Sequence, residues 1–328
     1  LDFTPYIEKA VALIGPFDIP PHSRVLIKPN LCTDKSAESG ATTDPKLVEG
    51  IICFLRKVAP NCEIVIVESN TAVADAEELF ELLGYTALAE KYDVPLINLS
   101  DDKQHKLTLD DGAILSTITV PETLLFSDFL ISVPKLKTMC DQKITCALKN
   151  QFGLLPKKHR AKYHPFLAEM LVDINRLYLP DLFIVDGIIA MEGFGPSEGN
   201  PKHTGLVICG KDAVAVDATA CRFIGMRPEK VPYIKYAYRK GLGQIADIKV
   251  VGDKVECDPF RFIPMKAYFL ARFALRMQRL ATYLENLGEI ALKGRGVVSS
   301  VGVSSVASRL SFSKLISTTT SQVTKLEA

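Results

Sequence analysis

The 328-residue chain has no Trp, only 5 His, and no excess of charge of either sign, with 39 Lys and Arg against 38 Asp and Glu. That balance argues against a dedicated nucleic-acid binder, whose domains are strongly basic. No CxxC pair occurs among the 8 cysteines. Several lie in apolar runs, such as Cys53 in GIICFL and Cys209 in GLVICG, where a thiol packs as a small hydrophobe. A disulfide scaffold and a cysteine-only zinc or iron–sulfur site are therefore not expected, and a reducing, cytoplasmic setting is. No apolar stretch reaches the roughly 20 uncharged residues of a membrane-spanning helix, and no secretory leader pattern opens the sequence. The P-loop, HExxH, GxSxG and kinase signatures are missing as well. What remains is a chain with 48% apolar residues, long enough to bury a substantial core in one large or two ordinary domains.

Its order of segments predicts an α/β fold, a mostly parallel sheet covered by helices. The run RVLIK (24–28) reads as a strand stopped by Pro29-Asn30, and Asp44-Pro45 caps a helix over 46–58. EIVIVE (63–68) is the next strand; 75–91 is helical, with Gly84 as a stop, and 94–99 is a third strand. This β-α-β-α-β series is the signature of a parallel sheet. Runs at 106–109 and 114–120 flank Asp110-Asp111-Gly112 and predict an antiparallel hairpin insertion. The parallel theme returns with strands at 129–133, 182–186 and 206–209, a helix is expected over 212–225, and a last hairpin over 249–255. From Pro264 a stripe of Phe269, Phe273, Met277, Leu280, Leu284 and Leu287 predicts an amphipathic C-terminal helix over 264–292. Arg272, Arg276 and Arg279 line another of its faces. It would dock on the core, on a second subunit (a homo-oligomer) or peripherally on a membrane. Residues 293–328 read as a Ser/Thr-rich flexible tail.

Three strand-end clusters are candidates for chemistry, because ligands of open α/β sheets bind beyond the carboxyl ends of the strands. The richest follows the strand at 129–133 and carries Lys135, Lys137, Lys149 and Asn150, with His159 and His164. Pro134, Gly153 and Pro156 interrupt helix there, so much of 134–164 is expected to be loop. Lysines and histidines in such a loop would hold phosphate or carboxylate, although a solvated lysine-rich surface is the plain alternative. The second cluster is Asp186 with the glycine-bearing MEGFGPSEG (191–199). Gly193 and Gly195 would let backbone amides approach an anion, or simply make a turn. Asp186 would ligate a divalent metal or act as a base, or cap an element. The third is Lys28, Asn30 and Cys32: an anion contact, an orienting amide, and a thiol that is a nucleophile, a metal ligand or a plain loop residue. Cys140 and Cys146 match no standard metal spacing, and Asp217, among apolar helix neighbours, would pair with a lysine or be functional.

Taken together, VLIKPNLC (25–32), Thr43-Asp44-Pro45, VIVESN (65–70), ISVPKLKT (131–138), ALKNQFGLLPKKH (147–159), YHPFLAEMLVDIN (163–175) and the run 182–220 resemble the DUF362 family. This is a domain of unknown function often joined to ferredoxin-like iron–sulfur modules. The resemblance spans roughly residues 3–263, so a core at 1–263 is expected. It implies redox or anaerobic metabolism, with any iron–sulfur cluster on a ferredoxin-like partner that donates electrons. Members often read Lys-Thr-His where this chain has Lys137-Thr138-Met139, and many continue into a cluster domain that is not seen here.

The expectation is thus a redox-associated enzyme, an oxidoreductase, binding an anionic small molecule. Lys28, Lys135, Lys137 and Lys149 would supply charge, Asn30 and Asn150 orientation, and His159, His164 and Asp186 the acid and base. The rival is a non-catalytic scaffold or cofactor-maturation adapter that docks on an iron–sulfur or membrane partner through its C-terminal segment.

Overall fold

The computed structural model describes residues 1–139, 142–156, 160 and 165–264, together with 266, 267, 269, 270 and 273. The chain divides into two compact units, Leu1–Phe262 and Ile263–Ala328. In the second, residues 266, 267, 269, 270 and 273 are helical, while the remainder of the expected 264–292 helix and the 293–328 tail lie outside the described residues.

The first unit is a three-layer α/β structure. Strand β1 (Arg24–Lys28) pairs in parallel with β2 (Glu63–Glu68) on one side and β6 (Phe129–Ser132) on the other. Beyond β2 lies β3 (Leu96–Asn98), also parallel. Beyond β6 lies β9 (Leu182–Glu192), whose far side pairs antiparallel with β10 (Asn200–Gly210). The chain therefore builds outward from β1 in one direction, then returns and builds in the other. The point of reversal falls between β1 and β6.

Alternation along the strands sorts the apolar side chains to two faces. Val25 and Ile27 join one buried cluster with helices α1 (Thr4–Leu13), α2 (Pro45–Val58), α3 (Ala76–Leu82) and α4 (Tyr85–Tyr92). Leu26, Val65 and Val67 join the other, with helices α7 (Leu167–Leu177), α8 (Ala213–Phe223) and α9 (Pro232–Arg239). The expected cap of α2 is present: the Asp44 carboxylate accepts from the Lys46 amide at 2.9 Å, with Pro45 in the first turn. The expected stop at Gly84 separates α3 from α4, because its φ of +81° is a left-handed conformation that ends the first helix. The Asp110-Asp111-Gly112 signal joins β4 (Gln104–Thr108) to β5 (Thr117–Pro121) in a two-stranded sheet packed on the second cluster. Glu122–Leu125 forms the short α5.

Three expectations are corrected. The strand at 206–209, expected to join the parallel set, runs antiparallel to β9 as part of β10, because the connection from Glu192 to Asn200 is too short for a parallel crossover. The hairpin at 249–255 does not form: no residue from 249 to 255 is in a strand, and Val250 is 68% exposed. Three valines around Gly252-Asp253 favour a hairpin locally, but a hairpin that buries no face gains little from pairing. The segment 134–145, read as loop, carries β7 (Lys135–Met139), which pairs with both β9 and β8 (Lys143–Thr145). A run of alternating lysines looks solvated in sequence. Here, Lys135 and Lys137 are buried because their charges meet partners from other strands.

Candidate functional site

Strands β1, β2 and β6, at and beside the reversal, each end in a buried polar side chain: Lys28, Glu68 and Ser132. Lys28, the last residue of β1, is 1% exposed. Its ammonium donates to Glu68 at 2.9 Å, to the Pro29 carbonyl at 2.8 Å and to Asn150 Oδ1 at 3.3 Å. Glu68 closes β2 and also accepts from the amides of Leu31 at 3.2 Å and Ser69 at 3.0 Å. Burial pulls the Lys28 amine below its usual range, and Glu68 opposes the shift. Such a pair is a poor source of stability, since desolvating both ions offsets most of their attraction. Its presence at a ligand-binding edge of the fold is better explained by the site it builds.

Asn150 closes the short helix α6 (Ala147–Asn150) and links the strand ends. Its Oδ1 also accepts from Asn30 Nδ2 at 3.2 Å, and its Nδ2 donates to Ser132 Oγ at 2.9 Å. Gln151 Nε2 donates to the same hydroxyl at 2.8 Å. Gly153 packs so close to the Lys28–Glu68 pair that a Cβ there would stand 2.8 Å from Lys28 Nζ. Lys137, 1% exposed, donates to Asn30 Oδ1 at 2.7 Å, the Ala41 carbonyl at 2.7 Å and Cys32 Sγ at 3.1 Å. The third pair lies beside these: Lys135 meets Asp186 at 2.8 Å, both fully enclosed. Asp186 further accepts from the amides of Asp44 at 2.8 Å and Ile188 at 3.1 Å. Thr43 Oγ1 donates to the Val133 carbonyl and accepts from the Asn30 amide, both at 2.8 Å, tying the loop after β1 to the end of β6.

The structure thus brings Lys28, Asn30, Cys32, Lys135, Lys137, Asn150 and Asp186 to one end of the sheet. Lys149, half-buried on α6, neighbours them in the chain. Gly193 and Gly195 sit on the turn after β9; the Gly193 amide donates to the Arg261 carbonyl at 2.9 Å and its own carbonyl accepts from Thr138 Oγ1 at 3.1 Å. His159, His164 and Cys140 lie outside the described residues. Among the described residues no three His, Cys, Asp or Glu side chains gather as a metal site, and both Asp186 oxygens are engaged by protein donors.

Sequence reasoning missed Glu68, Ser132, Gln151 and Arg160. Glu68 has the clearest signal available, an acid ending an otherwise apolar strand, but its meaning depends on the neighbour strand. Asp217, read as either paired or functional, is an internal cap. Fully buried on α8, it accepts from the amides of Ala147 at 2.6 Å and Leu148 at 3.2 Å, the first turn of α6. Burial raises its carboxyl to about 7, against the lowering effect of those amides.

A family model described as "Domain of unknown function (DUF362)" matches residues 25–222. A thylakoid-associated protein of Synechocystis sp. is 28% identical over 235 residues, 70% of this chain and 71% of that protein. Among solved structures, the lactate racemase apoprotein of Thermoanaerobacterium thermosaccharolyticum aligns with a TM-score of 0.42 at 10% identity. The alignment covers 66% of this chain and 54% of that one, so the chain spans about half of that structure. That likeness is too distant to bear on chemistry.

Proposed function

The chain belongs to the DUF362 family, and from that premise we propose that it is an enzyme that binds an anionic small molecule at the sheet end between β1 and β6. The observation that carries this reading is the placement of Lys28, Lys135 and Lys137, all 1% exposed, at the point where the strand order reverses. Open α/β sheets bind ligands at that point because the loops leaving the two strands diverge and open a crevice. Two of the three lysines are matched by carboxylates, while Lys137 meets only neutral or thiol acceptors among the described residues. The field at the mouth therefore favours a negative ligand. Asn30 and Asn150 hold the orientation, and Asp186 and the two histidines are assigned the proton transfers. The family resemblance adds a redox association, with electrons delivered by a ferredoxin-like partner. The seven described cysteines are free thiols, which supports a reducing compartment such as the cytoplasm.

The test is calorimetric titration of the full chain with inorganic phosphate and with malonate, alongside mass spectrometry of whatever co-purifies. Saturable binding of at least one probe is expected, abolished by Lys149→Ala with the melting temperature unchanged. Wild-type protein that binds neither probe refutes the reading.

One observation favours the adapter reading: the curated relative is thylakoid-associated. No helix among the described residues is long and apolar enough to cross a membrane. Flotation of the full chain with vesicles containing anionic lipid, in the absence of any small-molecule binding, would select the adapter.

A further inference from the structure

The lysines that make the mouth positive are poorly placed to touch a ligand. An ammonium has three donor positions. Lys28 spends its three on Glu68, Pro29 and Asn150, and Lys137 spends its three on Asn30, Ala41 and Cys32. Lys135 is locked to Asp186. Lys28 and Lys137 therefore set the field, which leaves the ligand to be met by a donor of another residue.

Arg160 has that donor. Its guanidinium Nη2 is enclosed and has no hydrogen-bond partner. It is close enough to Glu68 and Lys28 for their charges to act on one another, yet it is bonded to neither. A buried charged donor left without an acceptor costs about 1–3 kcal/mol or more, and natural proteins seldom keep one without use. The same network holds a second such atom, Gln151 Oε1, whose amide nitrogen is fixed on Ser132. Guanidinium is also the side chain best matched to oxyanions, since its planar fork aligns with two oxygens at once.

We propose that Arg160 is the ligand-docking residue of this site, its guanidinium taking an oxygen of a carboxylate or phosphate group beside the Lys28–Glu68 pair. The inference deepens the anion-site reading and rests on it. Arg160 and Lys137 then share the lack of a carboxylate ion pair among the described residues. One touches the ligand; the other only attracts it.

Full-length Arg160→Gln and Arg160→Lys are titrated with inorganic phosphate and with malonate, and the stronger of the two on wild type shows whether phosphate or carboxylate is the natural group. Arg160→Gln is expected to weaken that probe at least tenfold, with Arg160→Lys in between, while the unliganded melting temperature stays the same or rises. A merely structural arginine would lower that temperature and leave binding alone, and this result overturns the inference while sparing the anion site. Unchanged binding by Arg160→Gln does the same. If wild type binds neither probe, the site reading and the inference fall together. Should Arg160→Gln not fold, phenylglyoxal labelling of wild type followed by peptide mass spectrometry decides: the bound probe slows labelling of Arg160, and equal rates with and without probe refute the docking role.

Discussion

The two ends of the parallel sheet carry similar numbers of charged groups and treat them in opposite ways. At the amino end, Arg24 and Glu63 face each other across β1 and β2 at 3.4 Å with side chains 29% and 54% exposed. At the carboxyl end of the same two strands, Lys28 and Glu68 are 2.9 Å apart and at most 4% exposed. The first pair is partly exposed and contributes little, although the Arg24 Nε is enclosed without a hydrogen bond. The second sits where a hydrophobic pair would be as stable or more so. Charge held in a dry place against the interest of stability is what the proposed site rests on, and the difference between the ends sets the carboxyl end apart.

That contrast can be broken most forcefully at Glu68. Glu68→Gln leaves a buried ammonium without its carboxylate, and a loss of about 3–5 kcal/mol is expected in urea melts near neutral pH. Burial already lowers the Lys28 amine, so its proton is lost below the unfolded-state pKa and stability recovers as pH rises toward that value. The deficit of Glu68→Gln should therefore shrink in alkaline solution. A cost below about 1 kcal/mol would mean that the two ends are equally wet.

Asp217 gives the next largest effect. Burial pushes its carboxyl up to about 7, above the 3.8 usual for an aspartate. The folded state therefore binds more protons, and the group's contribution is complete below the lower value and is lost as pH climbs through the upper one. At about 1.4 kcal/mol per pH unit, wild type should lose roughly 4–4.5 kcal/mol across that window. Asp217→Asn removes the slope, so its stability relative to wild type rises over the window. Parallel stability–pH curves for the two proteins would show that the carboxylate is ionised throughout. The smallest effect belongs to the amino end, where Arg24→Ala is expected to change stability by about 0–1 kcal/mol, declining further in high salt. A larger cost would weaken the contrast from the other side.

Much of the fold could be read in advance because its signals are local. Asp44-Pro45 caps a helix through contacts one or two residues away, and Gly84 ends one through its own dihedral. The same local logic failed at 249–255, where valines favour a strand that finds nothing to pair with, and at 135–139, where lysines imply solvent. The candidate site was legible as a set of strand ends. Lys28, Asn30, Lys135, Lys137, Asn150 and Asp186 do converge, but their roles could not be foreseen. Lys28 and Lys137 turn out to be saturated by the protein, whereas Arg160, which no local pattern singles out, keeps an unbonded donor.

By itself, the order of residues determined the alternation of strands and helices, the caps, and which strands end in lysine or asparagine, since each depends on neighbours a few positions away. Only the tertiary structure decided that Lys28 meets Glu68 40 residues on, that Lys135 meets Asp186 51 residues on, and that all of them stand where the sheet reverses. Strand order sets those meetings, and strand order is a property of how the two faces of the sheet are covered. No local pattern encodes it.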